Sequence, residues 1–205
     1  MKVCLFDCGG VLYPYSLSFF KEWLTAHKQK EPKSLKWKEL MMGEISFSSF
    51  SKDVCDQIGV AYTLTTQEKI KTALINGKKD FYLETMVLMS FLKEKNIQMG
   101  LLSNAIPLFE GTLQNLPLSE ELMFPSYQMG LLKPDKKIFD AVLKKINVNP
   151  CDVLFIDDKK ENVEAAVSCG MKGIVFQRET VLSQVKKILG GQDVRSFRNR
   201  RCYSR

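Results

Sequence analysis

The chain alternates short, almost unbroken apolar runs with longer stretches in which apolar residues recur every three or four positions. VCLF (3–6), QMGLLS (98–103), DVLFID (152–157) and GIVF (173–176) are the short runs. They are too short for helices, and near-continuous apolarity marks strands covered on both faces, the habit of a parallel sheet. The longer patterns lie between them. YLETMVLMSFLKEKN (82–96) gathers Met86, Met89 and Leu92 on one face. KPDKKIFDAVLKKI (133–146) repeats Ile138, Val142 and Ile146 at spacing four, with Pro134 at the expected first helical position. KENVEAAVSCG (160–170) stops at Gly170. Strands alternating with helices predict an α/β fold, a doubly wound (Rossmann-like) parallel sheet.

Residues 14–80 break this rhythm. YSLSFFKEWLTAH, SLKWKELMMG, SFSSFSKDVCDQIG and TQEKIKTALING read as successive short helices with no strand among them. An all-helical block after the first strand of an α/β sheet is most simply a small cap inserted over the sheet edge. The expected organisation is therefore an α/β core of residues 1–13 and 81–189, a helical cap of 14–80, and a basic tail of 190–205 expected to be flexible.

Composition supports a packed core: 45% of the 205 residues are hydrophobic and 26% charged. No apolar run reaches membrane-spanning length, and the start MKVCLFDCGG, with Asp7 cutting short its apolar stretch, does not resemble a signal peptide. Six cysteines form no CxxC pair and no zinc-type spacing, so reduced thiols and a cytoplasmic setting are expected. The tail GGQDVRSFRNRRCYSR sets five arginines against one aspartate and so carries four of the seven net positive charges. Lys28, Lys30, Lys33, Lys36 and Lys38 form a second basic stretch. Neither matches a nucleic-acid-binding motif, so nucleic acid is not the expected partner. The sequence does not distinguish monomer from dimer.

The chemistry lies where the apolar runs end. In open parallel sheets, ligands bind just beyond the carboxyl ends of the strands. The first strand runs into Asp7, Cys8, Gly9 and Gly10, the second ends at Ser103 and Asn104, and the third at Asp157 and Asp158; Lys133 opens a helical pattern after a Gly-Leu-Leu stretch. Taken singly, Ser103 reads equally as a helix cap, Lys133 as a solvated lysine and Asp157–Asp158 as a turn. Together they bring three carboxylates, a hydroxyl and an ammonium to one edge. Clustered carboxylates repel one another unless a cation sits among them. An all-oxygen donor set suits a hard ion such as Mg²⁺. Such an ion beside Lys133, Ser103 and the Gly9–Gly10 backbone makes a pocket for phosphoryl oxygens, and a carboxylate aimed at phosphorus can act as nucleophile and form an aspartyl-phosphate.

FDCGGVL, LLSNA, LLKPDKKIFDAVL and LFIDDKKENVEAA resemble, in order and at similar spacing, the four motifs of the haloacid dehalogenase superfamily of hydrolases, the subgroup with a helical cap after the first motif. The resemblance spans residues 5 to 176. It implies a nucleophile at Asp7 and Mg²⁺ held by Asp7, the Gly9 carbonyl and Asp158, with Asp157 acting directly or through water. Ser103, Asn104 and Lys133 would then grip the phosphate, with a small phosphate ester as substrate. The chain departs from the pattern at Gly9, where phosphatases of this superfamily usually carry a second aspartate as general acid and base. Such help is typically worth about 10² to 10⁴ in rate. The leaving group can be good enough without it, another group or a water can take the role, or turnover can be lost. A phosphatase subset with a DxG first motif is similar here and includes enzymes acting on glucose 1-phosphate, which points to the first outcome.

Other readings make distinct expectations. Dehalogenases of the same superfamily also lack the second aspartate but need no metal, which leaves Asp157–Asp158 without a task. A degenerate phosphate-binding protein using its basic tail for a partner would bind Mg²⁺ without turnover. A cysteine phosphatase at Cys8 would want an arginine where Pro14 stands, and neither GxxxxGK[ST] nor GxGxxG occurs. The lone histidine, His27, is expected on a cap helix beside Trp23 and Leu24, partly buried. Tyr13, Tyr15, Phe19, Trp23, Met41 and Met42 are the candidates for lining a substrate pocket, or equally for the cap's own core.

Overall fold

A computed structural model of the chain describes residues 1–30, 32–76, 80–108, 113 and 116–190. In chain order the elements are β1 (Val3–Phe6), α1 (Ser18–His27), α2 (Trp37–Met41), α3 (Phe47–Ile58), α4 (Leu64–Ile75), α5 (Leu83–Glu94), β2 (Gln98–Ser103), β3 (Met123–Pro125), α6 (Ser126–Met129), α7 (Lys136–Ile146), β4 (Val153–Asp157), α8 (Lys160–Ser168), β5 (Lys172–Val175) and α9 (Val181–Gly190). The strands form one parallel sheet in the order β3-β2-β1-β4-β5. The fold is α/β and doubly wound, as the sequence predicts.

Alternation along β1 explains the two layers of helices. Cys4 and Phe6 join one apolar cluster with Leu88, Met89 and Leu92 of α5 and Val181 and Val185 of α9. Val3 and Leu5 point the other way, into a cluster with Ile138, Phe139 and Val142 of α7 and Ala166 of α8. Because both faces are covered, every residue of β1 is buried, each large side chain contributing about 1.5–3 kcal/mol of burial free energy. The chain runs from β1 to β2 and β3 on one side, then crosses to β4 and β5 on the other. The crevice at this switch of direction, between the carboxyl ends of β1 and β4, is where such sheets bind ligands.

Between β1 and α5 the chain makes four helices with their own apolar cluster, including Phe20, Leu40, Phe50, Ile58 and Ile70. Two are closed by side chains: Ser46 accepts from Ser49 N at the start of α3, and Thr63 from Thr66 N at the start of α4. The segment leaves and re-enters the sheet at neighbouring points, since Tyr82 N donates to Leu12 O (2.8 Å) and the Thr85 hydroxyl donates to Val11 O (2.6 Å).

Several expectations need correction. Helix α7 starts at Lys136, capped by Asp135, whose side chain accepts from Lys137 N; Lys133 and Pro134 precede it, because the Lys133 side chain is drawn back to the sheet edge. His27 stands at the end of α1 with its ring stacked on Trp23 (4.9 Å between centroids), and it is exposed rather than partly buried. Strand β3, α6 and α9 were not expected. The basic tail lies outside the described residues apart from Gly190, the last residue of α9. Among the described residues, no helix is long and apolar enough to cross a membrane.

Candidate active site

β1 and β4 lie side by side in register, Phe6 opposite Ile156, so the next residue of each, Asp7 and Asp157, emerges at the same edge. Between them stands the Lys133 ammonium. It donates to Asp7 Oδ1 (2.7 Å), to Asp157 Oδ2 (2.6 Å) and to the Leu102 carbonyl at the end of β2 (2.8 Å). Lys133 is 4% exposed, so this is a buried charge with all three of its donors matched. The ammonium also stands over the Phe155 ring, with Nζ 5.1 Å from the centroid. It is not a solvated lysine.

Asn104 fixes where Lys133 sits. Its amide nitrogen donates to Lys133 O (2.9 Å) and its carbonyl oxygen accepts from Lys133 N (2.9 Å). The residue after β2 thus clamps the segment that carries the ammonium. Ser103 is the last residue of β2, buried, and is not a helix cap.

Asp157 is fully buried and holds four hydrogen bonds. Oδ1 accepts from Lys159 N (2.8 Å) and from Asn162 Nδ2 (3.0 Å); Oδ2 accepts from Lys133 Nζ and again from Asn162 Nδ2 (3.0 Å). Asn162, in the first turn of α8, escaped sequence reasoning. Its only signal is a buriable amide five residues after a strand-ending carboxylate.

Asp158 completes the cluster: the carboxylates of Asp7, Asp157 and Asp158 place one oxygen each within 4.8 Å of one another. Three negative charges face one ammonium. Partial burial, with the charges of Asp7 and Asp157, pushes the Asp158 carboxyl up to about 6 from an ordinary 3.8. Gly10 makes room for this carboxylate. It has φ +87°, and a Cβ there would lie 2.6 Å from Asp158 Oδ2. A cluster of oxygen donors that one ammonium only partly compensates, with no nitrogen or sulfur among them, fits a small hard cation.

A cavity of about 390 Å³ opens above this edge. Asp7, Gly9, Ser103, Asn104 and Lys133 line it, joined by Lys159 and Asn162. Gly10, Asp157 and Asp158 are not among its lining residues. Of the six candidate pocket residues, Tyr13, Tyr15 and Met41 line the cavity. Phe19 is exposed and Trp23 belongs to the core of the helical segment, while Met42 is not in the lining. Cys8 is buried, its thiol donating to the Tyr13 hydroxyl (3.1 Å). Gly9 leaves little space for a side chain, since a Cβ there would stand 3.2 Å from Tyr15 Cβ.

The family model for haloacid dehalogenase-like hydrolases matches residues 1–170, and the chain belongs to that family of enzymes. Among curated relatives, D-ribitol-5-phosphate phosphatase of Bacteroides thetaiotaomicron is 28% identical over 196 residues, 87% of this chain and 92% of that protein. Acyl-CoA dehydrogenase family member 10 of Mus musculus is 25% identical over 213 residues, 92% of this chain but 19% of that protein; the chain spans about a fifth of that relative's length. Among solved structures, a HAD family enzyme from Bacteroides thetaiotaomicron, in complex with magnesium and inorganic phosphate, superposes with a TM-score of 0.73 at 22% identity, covering 90% of this chain and 98% of that one. That likeness is one of fold.

Proposed function

We propose that the protein is a Mg²⁺-dependent phosphatase that hydrolyses a small phosphate monoester through an aspartyl-phosphate on Asp7. The observation that carries this reading is the meeting of three carboxylates, Asp7, Asp157 and Asp158, with the buried Lys133 ammonium pairing the first two and with Asp7 and Lys133 lining the floor of a cavity. Residues 1–13 and 81–189 act as the catalytic core and the helices of 14–80 as its cap, in a cytoplasmic setting.

Asp7, Asp158 and the Gly9 carbonyl would hold Mg²⁺. Asp157, with both oxygens already occupied by donors, serves as a fixed charge or reaches the ion through water. Bound there, the ion neutralises phosphoryl oxygens and offsets the excess of carboxylates. Lys133 holds Asp7 by Oδ1 and so fixes the carboxylate's orientation for attack on phosphorus. The phosphorus–ester oxygen bond then breaks, the leaving oxygen takes a proton from water, and water cleaves the acyl phosphate to release inorganic phosphate and regenerate Asp7. Ser103 offers its hydroxyl to a phosphoryl oxygen. Lys133 contributes charge more than a free donor, since all three of its donors are already matched, and Asn104 contributes by clamping Lys133.

The name of the Bacteroides relative, which the match covers to 92%, supports phosphate-ester hydrolysis and makes sugar-alcohol phosphates candidates from kinship, while the DxG first motif adds sugar phosphates such as glucose 1-phosphate. The test is para-nitrophenyl phosphate with Mg²⁺, followed by the same assay on Asp7→Asn. Phosphate release abolished by the substitution is expected; no release with Mg²⁺, or release indifferent to Asp7→Asn, overturns the reading. Activity surviving complete chelation by EDTA would favour a metal-independent dehalogenase-type hydrolase, and Mg²⁺ binding without turnover a degenerate phosphate-binding protein.

A further inference from the structure

Among the described residues, the charged, amide and aliphatic-hydroxyl side chains of the cavity are segregated. Asp7, Ser103, Asn104, Lys133, Lys159 and Asn162 all lie at the strand-end floor, which suffices for a phosphate group. The walls are built differently. Leu17, Trp37, Met41, Leu74, Ile75 and Leu108 converge from four separate segments, and Ala105 and Ile106 continue the apolar surface beyond β2. Among the described residues of the wall, the polar side-chain atoms are two phenols and one indole N–H, from Tyr13, Tyr15 and Trp37. Of these, the Tyr13 hydroxyl is already engaged by the Cys8 thiol.

The wall is also anchored. The Ser126 hydroxyl donates to Met41 O (2.7 Å) and accepts from Ala105 N (3.0 Å), tying the helical segment to the loop after β2. The Trp37 ring packs against Phe20 (5.4 Å) and Phe50 (4.7 Å). The cavity volume of about 390 Å³ lies within the range that accepts small-molecule ligands. It holds on the order of a dozen waters, of which a phosphate displaces a small part. Most of the space therefore belongs to the alcohol.

We infer that the alcohol carried by the phosphate is an extended hydrocarbon rather than a sugar. This rests on the phosphatase reading and refines it. A hexose or pentitol would bring several hydroxyls against walls whose described side chains offer few groups to pair them, and an unpaired buried hydroxyl counts against binding. A hydrocarbon chain gains from every methylene it removes from water.

The experiment compares kcat/KM for butyl, hexyl and octyl phosphate with glucose 1-phosphate and D-ribitol 5-phosphate, with Mg²⁺ present. We expect a gain of about fourfold per methylene along the alkyl series, with both sugar phosphates below octyl phosphate. A flat or falling series, or a sugar phosphate that matches octyl phosphate, overturns the inference. The phosphatase reading is judged separately on para-nitrophenyl phosphate. Calorimetric binding of the matching alkylphosphonates, which have no ester bond to cleave, tests the inference without turnover: affinity should rise with chain length, and affinity independent of length refutes it even if esters are hydrolysed. Met41→Gln and Ile75→Ser, checked for folding by thermal melting, should flatten the chain-length slope. A folded variant with an unchanged slope counts against the inference, and if neither folds the wild-type series decides.

Discussion

Replacing Lys133 with methionine removes one buried charge and keeps most of the side chain's length. In the wild type that charge is shared by Asp7 at 2.7 Å and Asp157 at 2.6 Å, with Leu102 O as third acceptor. Without it, two buried carboxylates face each other and Asp158 with no cation between them. Breaking a buried ion pair by removing one partner costs about 3–5 kcal/mol, because the remaining charge is left uncompensated. For a chain of 205 residues, each kcal/mol lowers the melting temperature by about 2–4 °C. The metal-free variant should therefore melt about 6–20 °C below wild type. Thermal melts by circular dichroism in EDTA measure the difference, and the same melts with saturating Mg²⁺ should show a larger rise for the variant than for wild type. The double variant Lys133→Met/Asp157→Asn, with one carboxylate neutralised, should recover part of the loss. Coincident metal-free melts of wild type and Lys133→Met would refute the reasoning, since the ammonium would then not be what holds the carboxylates together.

How far the site could be read from the sequence depended on whether a residue's task is set by its place in a strand or by the packing of helices. Asp7, Ser103, Asn104, Asp157 and Asp158 follow directly on apolar runs. The direction of a parallel sheet carries all of them to one edge, so their convergence required nothing beyond the strand assignment. Lys133 reached the same edge for a different reason than its position suggested. It does not open α7; it sits three residues earlier, held by the Asn104 amide, a long-range contact that no local pattern encodes. Ser126 was invisible for the same reason, its partners Met41 and Ala105 being far along the chain, whereas Asn162 bonds Asp157 only five residues back and offered no signal beyond that spacing. The three residues of β3 are too few for periodicity to register. Helix α9 did carry a pattern in Val181, Val185, Ile188 and Leu189, but its terminal position beside a basic run masked it. In the helical segment, aromatic and methionine residues are plentiful enough to serve either a core or a pocket. Only packing separates Trp23, which stacks on Phe20 and His27, from Tyr15 and Met41, which face the cavity.

Three further outcomes follow from the geometry at the strand ends. The raised Asp158 carboxyl binds protons more tightly in the folded than in the unfolded chain. Its contribution to metal-free stability is therefore full below pH 3.8 and lost as pH rises through about 6; denaturation across that window should show this slope, and Asp158→Asn should remove it. Gly10→Ala combines a strained positive φ with a Cβ 2.6 Å from Asp158 Oδ2, so it should cost about 1–2 kcal/mol from the backbone alone and weaken Mg²⁺ binding by calorimetry; an unchanged Mg²⁺ affinity would mean that Asp158 is not a ligand. Gly9→Asp asks whether the protein can use an acid two residues after Asp7, the proposed nucleophile. Alone it should fail, because Tyr15 Cβ stands 3.2 Å from the new Cβ and the side chain has no room to approach the leaving oxygen. Combined with Tyr15→Ala it should speed hydrolysis of alkyl phosphates, whose alcohols leave poorly, by up to about 10²-fold, while para-nitrophenyl phosphate, whose phenol leaves readily, gains little. Equal gains on both esters would show that the new carboxylate acts on binding rather than on the proton. No gain on either would show that an acid at position 9 is not what limits the rate.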